Sequence, residues 1–300
     1  MAANDFVLGI DLGGTKIAVA TATIAGTIIH EQVIATQAHR GAEQAIERTI
    51  AAGRQLVEQT TVGQGGTHIG TGVANMGIAL EDRVLMAPNV PGWDRLPILQ
   101  LMQRAFPSAP VHVENDVKAA AYAELRWGAL AGVDVGIYLN LGTGIAATLI
   151  VNGAIMRGAH GAAGEIAYNM RHLHDEMGFQ QGRAPLEEFV GGGAIGERAR
   201  LLFGEPASAK DIFQLARTNP EAQAFVEATL SEIAFHMTNL AIAVDPERIV
   251  IGGGLMNSKE IVLPWLNTYI KRFTPFPPVL QEAHFSQQAG LMGAIALALP

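Results

Sequence analysis

At 300 residues the chain is long enough for one large domain or two ordinary ones. Its 49% hydrophobic and 16% charged residues supply a sizeable core and exclude a disordered protein. A net charge of −8 argues against nucleic acid or an anionic membrane as the main partner, and the absence of cysteine excludes disulfides and thiolate metal sites. No apolar run is long enough to span a membrane and no secretory leader pattern precedes Phe6, so the sequence reads as cytoplasmic.

Apolar, β-branched runs predict strands over 6–11, 16–23 and 27–36, and a helix-like pattern follows over 42–59. Strands are expected at 69–79 and 83–86, then the loop Ala-Pro-Asn-Val-Pro-Gly-Trp (87–93) and a helix over 96–105. Val111–Glu114 reads as a short strand ending at Asn115-Asp116, and 117–127 as an Ala-rich helix. A second set of strands begins near Val133, and 157–193 is Gly-rich and irregular. Helices are expected at 194–203, 208–216 and 220–244, a strand at 248–251, a helix at 258–272, a strand at 279–283 and a last apolar helix at 287–299.

Within this order the chain repeats itself. Residues 7–22 and 136–151 each consist of an apolar run with one polar residue (Asp11, Asn140), a Gly/Thr turn and a second apolar run; each is followed by a turn and a third apolar stretch. Two such hairpins imply two related lobes, each an α/β layer with a mixed sheet flanked by helices. The hinge falls near 115–118, and the last helix returns to the first lobe: 1–116 with 287–300, and 117–286. Gly turns present backbone N–H groups with no Cβ in the way, and Thr15 and Thr143 add a hydroxyl at each tip, so a nucleotide is expected between the lobes.

Each candidate has a plainer reading beside it. Asp11 before Gly13-Gly14-Thr15-Lys16 faces Mg²⁺ beside the phosphates or merely caps a turn. Gly142-Thr143-Gly144 is a second phosphate turn or an ordinary hairpin, and Gly252-Gly253-Gly254 approaches a nucleotide or only joins a strand to a helix. Asp116 is a general base for phosphoryl transfer or a helix N-cap, with Asn115 bonding the substrate. Glu165 and Glu187 suit the vicinal hydroxyls of a sugar or are solvated acids. His172, His174 and Glu176 read as a solvated loop rather than a metal site.

Taken together these motifs resemble the ROK family of repressors, uncharacterised reading frames and sugar kinases. Ile10–Lys16 and Leu141–Ile145 are similar to its two phosphate motifs, Ala87–Trp93 to its sugar-side loop and Glu114-Asn115-Asp116 to its catalytic strand end. His160–Glu165 resembles the family signature, Ile251–Leu255 the adenosine motif and Ala289–Ala294 the closing helix. The resemblance implies an actin-like, RNase H-like two-lobed fold, often dimeric, with the active site in the cleft. It implies MgATP-dependent phosphorylation of a hexose or N-acetylhexosamine, usually at the 6-hydroxyl. Asp116 is then the base; Asn89, Asn115, Glu165 and Glu187 hold the sugar; Asp11, Gly13, Gly14, Thr15, Lys16, Gly142, Thr143, Gly144 and Gly252–Gly254 serve the nucleotide.

The departures lie on the sugar side. The family's Gly-Glu-x-Gly-His reads Gly164-Glu165-Ile166-Ala167-Tyr168 here. Its Cys-x-Cys-Gly-x-x-Gly-Cys segment is gone, with Pro185 where the last Cys would stand, and Met76 replaces a common proline. A structural zinc is therefore not expected, and Tyr168 is left to offer its hydroxyl to the sugar. The competing reading is a sugar-responsive regulatory protein that no longer catalyses; a polyphosphate-dependent kinase and an actin-like ATPase rank lower. Repressor members of the family carry an N-terminal helix-turn-helix; this sequence opens on its first strand, so a DNA-binding role is not expected.

Overall fold

The computed structural model describes residues 4–80, 82–85, 90–204 and 208–300. The chain divides into two compact units, 1–128 with 287–300, and 129–286.

The first unit opens with β1 (Phe6–Leu12), β2 (Lys16–Thr23) and β3 (Ile28–Ala35), followed by α1 (Ala42–Gln64) and β4 (His68–Asn75). Next come the two-residue strands β5 (Ile78–Ala79) and β6 (Val84–Leu85), then α2 (Ile98–Ala105), β7 (Val111–Asn115) and α3 (Asp116–Trp127). Its five-stranded sheet has the order β3-β2-β1-β4-β7; β1 to β3 form an antiparallel meander, and β4 and β7 add in parallel. Strand alternation sets the faces. Leu8, Ile10 and Leu12 enter the core shared with Ala45, Ile46 and Leu56 of α1 and Met102 of α2. Gly9 and Asp11 point the other way.

On that other face lies the last helix, here numbered after the second unit's elements: α4 (Glu187–Val190), α5 (Gly192–Phe203), α6 (Ala209–Leu215), α7 (Pro220–Val244), α8 (Lys259–Phe273) and α9 (Ala289–Leu297). α9 packs backbone to backbone on the first unit. A Cβ at Gly72 would strike Ala294 O, one at Gly70 Ala298 O, and one at Gly293 Ala119 O. The first unit thus takes in 287–300 and runs to 128, where the sequence reading places 1–116 with 287–300. Helix α3 stays with the first unit because its Ala119 and α9's Gly293 leave no room for a side chain between them.

The second unit repeats the plan. Strands β8 (Gly136–Leu141), β9 (Ile145–Val151), β10 (Ala154–Ile155), β11 (Arg248–Gly252) and β12 (Val279–Glu282) form a sheet of order β10-β9-β8-β11-β12. Again there is an antiparallel meander with two parallel additions. Its core joins Ile137, Leu139 and Leu141 to apolar residues of α5 to α8. Two sequence expectations shift. The run 69–79 breaks after Asn75 into a separate short ladder of β5 with β6, and the irregular stretch 157–193 contains the short helix α4 and the start of α5. Among the described residues no helix is long and apolar enough to cross a membrane.

Candidate functional site

In the first unit the C-terminal ends of the parallel strands β1, β4 and β7 lie in register, Leu12 beside Asn75 and Asn75 beside Asn115. In open α/β sheets this is the end where ligands bind. Asp11 closes β1, and Gly290 of α9 sits against its carboxylate so closely that a Cβ there would collide with both oxygens. Burial, then the charge of Asp116, raises the Asp11 carboxyl to about 6, with Lys16 pulling it down. The turn after β1 is tied from behind by Thr36, which donates its hydroxyl to Gly13 O (2.6 Å) and its N–H to Thr15 O (2.9 Å). Gly14 is half-buried, whereas Thr15 and Lys16 are exposed at the tip.

At the end of β7 the capping role falls to Asn115, not to Asp116. Asn115 Oδ1 accepts from the N–H groups of Val117 (2.9 Å) and Lys118 (3.2 Å), which commits the oxygen end of its amide to the cap. Asp116 is the first helical residue and accepts from the Val117 N–H at 2.9 Å. Its side chain keeps a face open to solvent yet is crowded by protein on its other sides, and that desolvation raises its carboxyl despite the backbone donors and Lys118. Lys118 itself is 1% exposed. Nearby, the buried Asn75 donates to Met76 O (2.7 Å) and accepts from Trp93 Nε1 (2.8 Å), pinning the end of the 87–93 loop. Asn89 of that loop lies outside the described residues.

In the second unit the turn between β8 and β9 is held by the start of α5: Gly192 N–H donates to Gly142 O (2.9 Å) and Gly193 N–H to Thr143 O (3.1 Å). Gly253, at φ +94°, packs on Leu141, where any Cβ would clash with the carbonyl, and a Cβ on Gly252 would strike the Tyr138 hydroxyl; Gly254 faces open space. Two of these three glycines thus have a packing duty.

Glu165, Tyr168 and Glu187 come together. Gly164, at φ +88°, lies against β9 and accepts from the Ala147 N–H at 2.8 Å, which fixes Glu165 beside it. Tyr168 packs edge-on against Phe179 at 5.3 Å. Its hydroxyl pKa is raised, first by burial, then by the carboxylates of Glu165 and Glu187, so it remains a protonated donor at neutral pH. Glu187 differs from expectation in one respect: its Oε2 accepts from the backbone N–H of Ile145 at 3.1 Å, at the foot of the Gly142–Gly144 turn.

The segment from which the cysteine motif is missing is organised by ion pairs and backbone hydrogen bonds. Asp175 accepts from the N–H groups of Arg171 (2.7 Å) and His172 (2.9 Å), and Arg183 forks onto Glu188. Arg171 Nε donates to Glu232 at 2.9 Å, and the guanidiniums of Arg171 and Arg198 stack on Phe189 at 3.5 and 3.7 Å from the ring centre. Arg171, Asp175, Arg183 and Glu188, already partnered in this way, line a cavity of about 360 Å³. Among the described residues no three His, Asp or Glu converge in a way that could hold a metal, His172, His174 and Glu176 included.

Comparison with known proteins fits this arrangement. The model of the ROK family matches residues 7–300, and the chain belongs to that family. It is 30% identical over 298 residues, covering 96% of both chains, to the N-acetylmannosamine kinase of Yersinia pestis (strain Pestoides F). Among solved structures, it is similar to the ROK hexokinase from Thermus thermophilus, with TM-score 0.82 and 27% identity over 98% of this chain and 97% of that one. A ROK family glucokinase from Streptomyces griseus, solved with glucose and AMPPNP, gives TM-score 0.74 and 27% identity over 98% and 99%. The fold is accordingly the actin-like ATPase fold, and the relatives' names make this a sugar-kinase-like member.

Proposed function

We propose that this protein transfers the γ-phosphoryl group of ATP to a hydroxyl, O6, of a hexose or N-acetylhexosamine, with Asp116 as general base. The observation that carries the reading is Asp116 itself: a carboxylate one residue past the cap of α3, open to solvent on one side and made more basic by desolvation. It takes the proton of the attacking hydroxyl while the oxygen–phosphorus bond forms and the bond to the bridging oxygen of ADP breaks. Asn115 offers its amide NH₂ to the sugar, and Glu165, Glu187 and the Tyr168 hydroxyl supply the acceptors and donor that vicinal hydroxyls require. Asn89 belongs to the same proposed set. The Gly13–Lys16 and Gly142–Gly144 turns receive the phosphates, and Gly254, with open space above it, accommodates the adenosine side.

The Asp11 carboxylate fits Mg²⁺ as a hard oxygen donor, ionised at neutral pH and short of cationic compensation. Bound Mg²⁺ supplies charge neutralisation on the phosphate oxygens. Zinc does not fit: its usual thiolates are missing from the sequence and no described cluster replaces them.

The name of the Yersinia relative makes N-acetylmannosamine the first acceptor to test, with glucose second. The test is ADP release from MgATP across glucose, mannose, fructose, allose, glucosamine and the N-acetylated hexosamines. Sugar-dependent turnover supports the kinase. ATP binding with no turnover on any sugar favours the regulatory reading, which the changed Tyr168 segment motivates.

A further inference from the structure

Glu187 stands at a junction. Its Oε2 holds the Ile145 N–H at 3.1 Å, and a Cβ added at Gly144 would collide with that same oxygen, so the carboxylate lies directly under the Gly142–Gly144 turn. Its helix is fixed on both flanks. Leu186, fully buried, donates its N–H to Ala167 O at 3.1 Å, within the turn that carries Tyr168. Gly191, which follows α4, donates to Glu187 O at 2.8 Å and leads into the Gly192 and Gly193 amides that hold the Gly142 and Thr143 carbonyls. The ring closes through Gly164 O, which accepts from Ala147 of β9, two residues beyond Ile145. Glu165, Tyr168, Glu187 and the second Gly/Thr turn are therefore one hydrogen-bonded circuit within one unit.

From this geometry we infer that Glu187 is a positioning residue for the nucleotide turn as well as a sugar ligand, coupling acceptor binding to phosphate binding. The inference rests on the kinase reading above. Without sugar, one carboxylate oxygen orders the Ile145 amide while the other is unengaged by the turn. A sugar hydroxyl donating to the carboxylate fixes its rotamer, and the ordering cost of the turn is then met before the nucleotide arrives. By linkage, the nucleotide must tighten sugar binding by the same factor.

The test is calorimetric titration of the full chain with MgAMPPNP, alone and with saturating N-acetylmannosamine or glucose, whichever supports turnover. In the native protein, sugar is expected to tighten AMPPNP about tenfold, within the usual range of coupling. Glu187→Ala should weaken AMPPNP about fivefold even without sugar, as loss of one backbone hydrogen bond implies, and should abolish the coupling. Glu187→Gln keeps an oxygen for the Ile145 N–H, so its sugar-free AMPPNP affinity should stay within about twofold of native while its sugar KM rises. A purely structural role would not separate the two substitutions in this way. Gly144→Ala, with Glu187 intact, should reproduce the weakening by pushing the carboxylate aside. Native sugar-free affinity in Glu187→Ala, or coupling that persists in it, overturns the inference and leaves the kinase reading intact. Failure of the native protein to bind AMPPNP, with no turnover on any sugar, overturns both.

Discussion

Asp11 and Asp116 are electrostatic neighbours within the first unit: after burial, the charge of Asp116 is what most raises the Asp11 carboxyl, to about 6 in all. Two carboxylates placed this way resist sharing full ionisation. In the proposed mechanism this pairing suits a cation at Asp11 and a proton acceptor at Asp116, the division of labour that phosphoryl transfer requires.

The acceptor role predicts a pH dependence. A base must be ionised to act, so kcat/KM falls as pH drops through its pKa. Because desolvation raises the Asp116 carboxyl, the acidic limb should lie above the ordinary carboxylate range. Lys118 opposes that rise, so Lys118→Met should move the limb to still higher pH. Asp116→Asn should lower kcat by about 10²–10⁴-fold, the usual worth of general-base catalysis, with little change in sugar affinity. Near-native kcat in this variant would remove Asp116 from the chemistry.

Asp11 predicts a conflict between function and stability. A carboxyl whose folded pKa is raised contributes stability in full below its unfolded value of 3.8, and loses it as pH rises through about 6. At pH 7 without divalent cation the ionised side chain costs at most about 3 kcal/mol, less to the extent that water screens this half-buried group. Asp11→Asn should therefore raise the urea midpoint at pH 7 and leave it nearly unchanged at pH 4, while turnover is lost. An equal shift at both pH values would show that charge is not the cause.

Much of this site could be read from sequence because its signals are local. The duplicated hairpins appear as two sheets of the same strand order, and period-two alternation alone turns Asp11 away from the α1 core and toward α9. What escaped reading depends on partners far along the chain. Thr36 holds Gly13, Trp93 holds Asn75 and Glu187 holds Ile145 across separations of 23, 18 and 42 residues. Nothing in the short-range pattern around Glu187 distinguishes a turn-supporting carboxylate from a solvated one. The Asn115 cap could not be read from residue type, since Asn and Asp cap about equally well; the helix starts at Asp116, one residue earlier than expected, and that makes Asn115 the cap.

The Gly252–Gly254 run separates packing from binding. Gly253 combines φ +94° with contact on the Leu141 carbonyl, so Gly253→Ala should cost more than about 2 kcal/mol of stability. Gly254 is exposed with nothing within 4 Å of an added Cβ. Gly254→Ala should unfold at the native denaturant midpoint yet raise the KM for ATP several-fold. An unchanged KM would take Gly254 out of the nucleotide site.

The segment without the cysteine motif is held together by charge. Here Asp175 gathers two backbone N–H groups, Arg183 grips Glu188, and Arg171 joins Glu232 while stacking on Phe189, two residues from Glu187. Arg171 and Glu232 have side chains only 19% exposed, so this pair is screened less than a surface ion pair. Chelators should leave the Tm unchanged. Arg171→Ala should destabilise the second unit by about 2 kcal/mol, since it removes a cation–π contact and leaves Glu232 without its guanidinium. Arg171→Lys keeps the charge but loses the planar stack, and should fall between the two. Because the same side chain braces α4, Arg171→Ala should also raise the sugar KM. Stoichiometric zinc in the purified protein, lost together with stability on chelation, would instead make metal the organiser of this segment.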